Sequence, residues 1–129
     1  MGAYVASQVV KLMIKKGIPV HGASLLMLGI TFKENCPDVR NTRIVDVIAA
    51  LTDYGINVSI YDPWANPVEV QHEYNLTTSN QQPTTTFDAI VLGVAHTEFL
   101  KLDLATLQND MSIVYDVKGI LGVAVDGKL

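Results

Sequence analysis

Short apolar runs of strand length alternate along this chain with segments whose apolar residues recur at helical spacing. Parallel strands need a crossover connection, usually a helix, so strands that alternate with helices pair in parallel. The pattern therefore predicts an α/β domain of three layers with a mostly parallel sheet. The predicted strands are Ser24–Ile30, Ile56–Tyr61, Asp88–Val94 and Met111–Tyr115.

The first segment of helical spacing is Met1–Lys16, which places its apolar residues on one face and ends at Gly17. No capping residue precedes it, so we expect a long helix that continues upstream and a chain that is a fragment. The second helix is predicted to be capped by Asn41 or Thr42. The remaining predictions are helices at Thr42–Tyr54, Asn66–Tyr74 and Leu102–Asp110, an edge strand at Thr84–Phe87, and a strand or loop at Ile120–Val125.

Composition narrows the classes of function. The 129 residues suit one domain, and a net charge of -4 argues against a nucleic-acid partner, which needs a basic face. A single cysteine, Cys36, excludes an internal disulfide and fits a reducing, cytoplasmic compartment. No apolar run approaches the ~20 residues of a membrane span.

The stretch between the first strand and the second helix is predicted to be a binding loop. Thr31–Asn41 is polar and charged, and ligands of open α/β sheets bind where such loops follow the strands. The segments 95–99 and 116–119 follow two further strands and should lie nearby. Together these loops offer the cations Lys33, Arg40 and Lys118, a set suited to a diphosphate.

Other polar residues are assigned to structural roles. Asp62 precedes a proline and is predicted to be a turn and cap residue. His96 and Glu98 form an H-x-E pattern without the cysteine pair of a zinc site, so a structural role or a contact to the binding loop is expected. Cys36 has no histidine paired with it in the sequence, and we assign it no catalytic role. No catalytic residue and no metal ligand is predicted.

The stretch GITFKENCPDVRNT resembles a signature of the UDP-sugar 6-dehydrogenases, a family that oxidises C6 of a UDP-hexose in two NAD-dependent steps. The signature belongs to the C-terminal, UDP-binding domain, which is Rossmann-like. The sequence of this stretch is most similar to the branch that acts on UDP-N-acetylglucosamine or UDP-N-acetylgalactosamine for capsule, O-antigen and Vi-type polysaccharides. The matching residues are Gly29, Phe32, Lys33, Asn35, Asp38, Arg40, Asn41 and Thr42.

The resemblance implies roles for individual residues. Phe32 and Lys33 would contact the UDP-sugar, and so would Lys118 in the motif YDVKG. Arg40 would reach an NAD molecule that is bound mainly by another domain. The resemblance also implies that residues 1–17 end an inter-domain helix, that 18–129 form the UDP-sugar-binding domain, and that the full-length protein is a homo-oligomer.

Two features of the resembled enzymes are missing from this sequence. It contains neither the G-x-G-x-x-G turn for NAD nor the G-G-x-C motif of the catalytic cysteine. We therefore expect the fragment alone to be inactive. Two alternatives remain open: a free-standing nucleotide-binding module that regulates a partner, and an assembly domain that uses the helix at Tyr4–Met13 as its interface.

Overall fold

The computed structural model describes residues 2–119, 121 and 125–128. Five parallel strands form one sheet in the order β2-β1-β3-β4-β5, so the α/β prediction is confirmed. The elements are α1 (Gly2–Lys15), β1 (Ser24–Leu28), α2 (Ile44–Asp53), β2 (Asn57–Tyr61), α3 (Pro67–Tyr74), β3 (Phe87–Leu92), α4 (Thr97–Leu100), a 3₁₀ turn (Leu104–Leu107), β4 (Gln108–Asp116) and β5 (Gly127–Lys128).

Two hydrophobic clusters pack on opposite faces of the sheet. Leu25 and Met27 of β1 face the helices α1, α2 and α3, whereas Leu26 and Leu28 face the side covered by α4 and the 3₁₀ turn. This division follows from the alternation of side chains along a strand. α1 is part of the same core, because its apolar stripe is buried: Val5, Ala6, Val9, Val10 and Met13.

Two local predictions were wrong. The helix at Leu102–Asp110 is only a 3₁₀ turn, started by the side chain of Asp103 accepting from Ala105 N, and β4 already begins at Gln108. The edge strand at Thr84–Phe87 does not form there. Instead Ser79 makes an isolated bridge with Tyr61, at the outer edge of β2. The segment Ile120–Val125 falls mostly outside the described residues.

The start of α2 also differs from expectation. Arg43 occupies the N-cap position and its side chain makes no capping hydrogen bond. Thr42 still serves the helix start, since its hydroxyl accepts from Ile44 N at 3.2 Å. Asn41, with φ of 59°, turns the chain rather than capping it.

Candidate functional site

The loops after β1, β3 and β4 meet at the carboxyl edge of the sheet. The chain runs from β1 to β2 on one side and places β3 on the other side of β1, which makes the space between β1 and β3 a topological switch point. Open α/β sheets bind ligands at such points. A cleft of about 100 Å³ lies there, lined by Thr31, Phe32, Thr42, Arg43, Ile44, Gly93, Val94, Val117 and Lys118.

Close packing of two strand ends shapes the floor of this cleft. Gly29 has φ of +94° and donates its N–H to Tyr61 O at 2.9 Å. A β-carbon at Gly29 would come within 2.6 Å of Val94 Cβ. Only glycine therefore lets the loop after β1 leave the sheet so close to the end of β3.

Lys118 is presented to the cleft by a turn built on Asp116. The Asp116 side chain is 1% exposed and accepts hydrogen bonds from Lys118 N at 3.0 Å, Gly119 N at 2.7 Å and Leu121 N at 2.8 Å. The carboxylate thus fixes the backbone on which Lys118 stands, while the lysine side chain remains exposed. A cation held in this way is available to an anionic ligand.

The binding loop is closed on itself by hydrogen bonds. Phe32 N donates to Asp38 O at 2.7 Å, and the Thr42 hydroxyl donates to Thr31 O at 3.4 Å. Asn35 and Asn41 adopt left-handed backbone conformations, with φ of 54° and 59°. Asparagine is tolerated there because its short side chain can bond locally. The two asparagines of the signature thus have a backbone role.

Asp62 anchors the base of the loop from the end of β2. Its side chain is fully buried and accepts five hydrogen bonds, all from nitrogen. Burial raises the pKa of Asp62, but the bonds from His96 and from the Ile30 N–H outweigh this effect, so the pKa lies below its ordinary value of 3.8. The donors are Ile30 N at 2.7 Å, Thr31 N at 3.2 Å, His96 Nε2 at 3.0 Å, Trp64 N at 2.8 Å and Ala65 N at 3.1 Å.

His96 joins the same network from the segment after β3. The ring is fully buried, and its Nδ1 accepts from Asn35 N at 2.9 Å. The Asn35 side chain in turn bonds the start of α4: its Oδ1 accepts from Thr97 N at 3.0 Å. The prediction of a turn role for Asp62 is confirmed by its bonds from Trp64 N and Ala65 N, whereas the next helix, α3, is capped by Asn66. The prediction of a loop contact for His96 is confirmed by the bond from Asn35 N. The other member of the pattern, Glu98, accepts from Trp64 Nε1 at 3.0 Å.

The four predicted site residues do not share one cleft. Phe32, which is 55% exposed, and Lys118 line it. Lys33 is exposed on the binding loop and is not among the described residues that line the cleft. Arg40 borders a separate depression with Cys36, Pro37, Asp38, Glu69 and Glu73.

The second cation of the cleft is Arg43, which the sequence analysis did not single out. Arg43 is exposed and forms no ion pair with any residue that the structure describes. Arg40, by contrast, pairs with Asp38 through Nε at 3.1 Å, and the hydrogen bonds from the Arg40 side chain and backbone lower the pKa of Asp38. Arg43 could have been predicted from its place directly before the helix that starts at Ile44, because residues just before such a helix line the switch point.

Two other kinds of site are absent from the described part of the chain. No cluster of three or more histidine, cysteine or acidic side chains within it is arranged to hold a metal ion. None of the described helices combines the length and the apolar character that crossing a bilayer requires.

The sequence around the cleft is similar to that of known proteins. The family model of the UDP-glucose/GDP-mannose dehydrogenase family, UDP binding domain, matches residues 26–123. The chain belongs to this family. The match includes the binding loop, Asp62, His96 and Lys118, so the residues described above are all within the UDP binding domain of the family.

Curated relatives carry more specific names. The chain is 45% identical over 124 residues to the UDP-N-acetyl-D-glucosamine 6-dehydrogenase of Salmonella typhi and 44% identical to that of Pseudomonas aeruginosa. In both cases the alignment covers 94% of this chain and 29% of the relative. The chain therefore spans less than a third of the length of these dehydrogenases.

Solved structures of dehydrogenases share the fold. The NDP-N-acetyl-D-galactosaminuronic acid dehydrogenase of Methanosarcina mazei superposes with a TM-score of 0.82 at 19% identity, over 93% of this chain and 26% of that one. The UDP-D-ManNAc dehydrogenase of Pyrococcus horikoshii gives 0.73 at 19% identity, over 98% and 30%. At this identity the likeness concerns the fold alone.

Proposed function

We propose that this chain is the UDP-sugar-binding part of an NAD-dependent UDP-N-acetylhexosamine 6-dehydrogenase, a cytoplasmic homo-oligomer that makes uronates for surface polysaccharides. In this proposal residues 1–17 end the helix that connects the domain to the rest of the polypeptide, and 18–129 form the domain. The observation that carries the proposal is the switch-point cleft of a family member, where Lys118 and Arg43 stand beside Phe32.

The cleft fits one part of a UDP-sugar. Sites for small ligands usually measure roughly 300–1,000 Å³, so a space of about 100 Å³ holds a phosphate group and leaves the remainder of the ligand outside. Lys118 and Arg43 would pair with phosphate oxygens, and Phe32 would pack against the apolar side of the nucleoside or sugar. Lys33 would reach the ligand from the loop. Further contacts would come from the rest of the polypeptide.

The residues around Arg40 fit an NAD molecule less well. The depression contains the carboxylates of Asp38, Glu69 and Glu73, which disfavour an anionic dinucleotide inside it. The Arg40 side chain is 75% exposed, so it stays accessible to a ligand that is held outside the depression. We therefore propose that Arg40 touches NAD held mainly by another domain. Hydride acceptance is the chemistry that NAD supplies to such an enzyme.

The isolated chain should produce no NADH from UDP-N-acetylglucosamine or UDP-N-acetylgalactosamine. The reason is chemical: the sequence lacks the dinucleotide turn and the catalytic-cysteine motif of the resembled enzymes. Absorbance at the NADH band in the presence of NAD and either sugar nucleotide measures this. Turnover by the 129 residues above the level of a heat-denatured sample would contradict the proposal.

Lys118→Ala should weaken UDP binding by about 10- to 100-fold. A hydrogen bond to a charged group contributes ~1.5–3 kcal/mol, and ~1.4 kcal/mol corresponds to tenfold in Kd. Isothermal titration of the chain with UDP gives the affinity. Lys15→Ala is the matched control, because Lys15 is exposed in the last turn of α1, far from the carboxyl edge, and its loss changes the net charge equally.

The same titration separates the proposal from a role in assembly alone. Equal affinities for wild type and Lys118→Ala, or no heat from the wild type at millimolar UDP, would count against a phosphate contact at Lys118. If Lys33→Ala also weakens the affinity for UDP, the site extends to the binding loop.

A further inference from the structure

The segment that carries Phe32 and Lys33 is held at both ends by one buried imidazole ring. His96 Nε2 lies 3.1 Å from Thr31 Oγ1, and His96 Nδ1 accepts from Asn35 N at 2.9 Å. Thr31 and Asn35 flank the exposed residues 32–34. The ring itself is 0% exposed and belongs to the segment after β3, so it ties the loop after β1 to a different strand.

The hydrogen-bond network admits one tautomer of the ring. Thr31 Oγ1 donates its proton to Lys33 O at 3.0 Å, so towards His96 it can only accept. The carboxylate of Asp62, 3.0 Å from Nε2, also only accepts. Nε2 therefore carries the proton, and Nδ1 has the free lone pair that the Asn35 N–H requires. Neutral His96 with its proton on Nε2 satisfies all three contacts of the ring, because the Nε2–H is shared between Asp62 Oδ2 and Thr31 Oγ1.

We infer that His96 is a positioning residue for nucleotide binding: Asp62 fixes its tautomer, and its Nδ1 holds residues 31–35 in the shape that presents Phe32 and Lys33. This inference rests on the proposed function for its ligand, and on the geometry for its mechanism. Without the Nδ1 acceptor, the loop would become ordered only when the ligand binds. The entropy lost in that ordering would weaken the affinity for the ligand.

Two substitutions separate the two nitrogens of the ring. Glutamine at position 96 places an amide N–H near the position of Nε2, so His96→Gln keeps a donor for Asp62 and loses the acceptor for Asn35 N. Asparagine places an amide oxygen near the position of Nδ1, so His96→Asn keeps that acceptor and loses the donor for Asp62. The pair is matched, because both replace a ring by a neutral amide in the same cavity.

We expect His96→Gln to raise the Kd for UDP about tenfold, whereas His96→Asn should stay within about threefold of the wild type. Tenfold corresponds to the entropy of fixing the backbone of roughly one residue. Hydrogen exchange of the Asn35 amide in the ligand-free chain is the second readout. It should become at least tenfold faster in His96→Gln and remain slow in His96→Asn, even where His96→Asn is the less stable of the two.

A purely structural role would move both variants together. If UDP affinity and Asn35 exchange follow the global stability of the two proteins, or if His96→Gln matches the wild type, the inference is overturned. Nitrogen NMR of the wild-type chain provides an independent measurement should His96→Gln not fold: Nδ1 of His96 should be the ring nitrogen without a proton, because it accepts from Asn35 N, and a proton on Nδ1 would also overturn the inference.

The exchange measurement keeps this inference apart from the proposed function. A wild-type chain that binds no UDP, with the Asn35 amide still released only in His96→Gln, would refute UDP binding and leave the positioning by His96 in place. A chain that binds UDP, with equal Asn35 exchange in all variants, would refute the positioning and leave UDP binding in place.

Discussion

Asp62→Asn should lower the free energy of unfolding by about 3 kcal/mol. All five hydrogen bonds to this buried carboxylate come from N–H groups, and an asparagine can accept on one oxygen only. Its amide group would face N–H donors, and each buried donor left unpaired costs ~1–3 kcal/mol. Urea unfolding followed by circular dichroism measures the change, and Tm should fall by roughly 10 °C.

Asp53→Asn is the control for this substitution. It makes the same chemical change at an exposed position at the end of α2 and should alter stability by less than about 0.5 kcal/mol. A loss below 1 kcal/mol for Asp62→Asn would show that the backbone and His96 donors find other partners, and would contradict the anchoring role of the carboxylate.

The same substitution should also change the acid limb of the stability curve. The pKa of Asp62 is lowered in the folded state, so its contribution is complete above the ordinary value of 3.8 and is lost as the pH falls through the lower, folded-state value. The wild type should therefore lose this part of its stability below about pH 4. Asp62→Asn should lack that component, and its curve should converge on that of the wild type at the acid end.

Gly29→Ala should lower the free energy of unfolding by about 3–4 kcal/mol. A β-carbon at Gly29 would lie 2.6 Å from Val94 Cβ and 2.9 Å from Val94 Cγ2, well inside contact distance. Overpacking of a rigid core costs ~1–3 kcal/mol, and the positive φ of +94° adds ~1–2 kcal/mol for a residue with a side chain. Chemical unfolding of the purified variant gives the total.

Gly22→Ala separates the two contributions. Gly22 has a similar φ of +83°, but a β-carbon there meets nothing within 4 Å. It should therefore show only the backbone cost of ~1–2 kcal/mol. If Gly29→Ala is no more destabilising than Gly22→Ala, then Val94 yields freely and the close approach of the two strand ends does not constrain the cleft.

The layers of the fold could be predicted because they depend on local patterns. Runs such as Leu25–Ile30 are too apolar for a surface and too short for a membrane, and the helical spacing between them leaves few topologies. The failed helix at Leu102–Asp110 illustrates the limit. Its three leucines fit a helix or an extended chain equally well, and pairing with β3, which local spacing does not report, drew Gln108 into β4.

The candidate site could be predicted only in part. The charged loop was recognisable from its sequence, but the position of each cation was not, since Arg40 is turned aside by Asp38 only two residues away. The link from Asp62 to His96 spans 34 residues and the link from His96 to Asn35 spans 61. Hydrogen bonds between such distant residues leave no periodic trace in a sequence, so structure was needed to find them.

The bridge between Ser79 and Tyr61 bears on how the chain behaves at high concentration. β2 ends the sheet, and an outer strand offers free N–H and C=O groups to which a strand of another molecule can add. The Ser79 N–H already donates to Ile60 O, and Ser79 O accepts from Asp62 N. The Asn80 side chain donates to Asp62 O. The polar segment around these residues thus blocks the carboxyl half of that edge against the growth of a sheet from one molecule to the next.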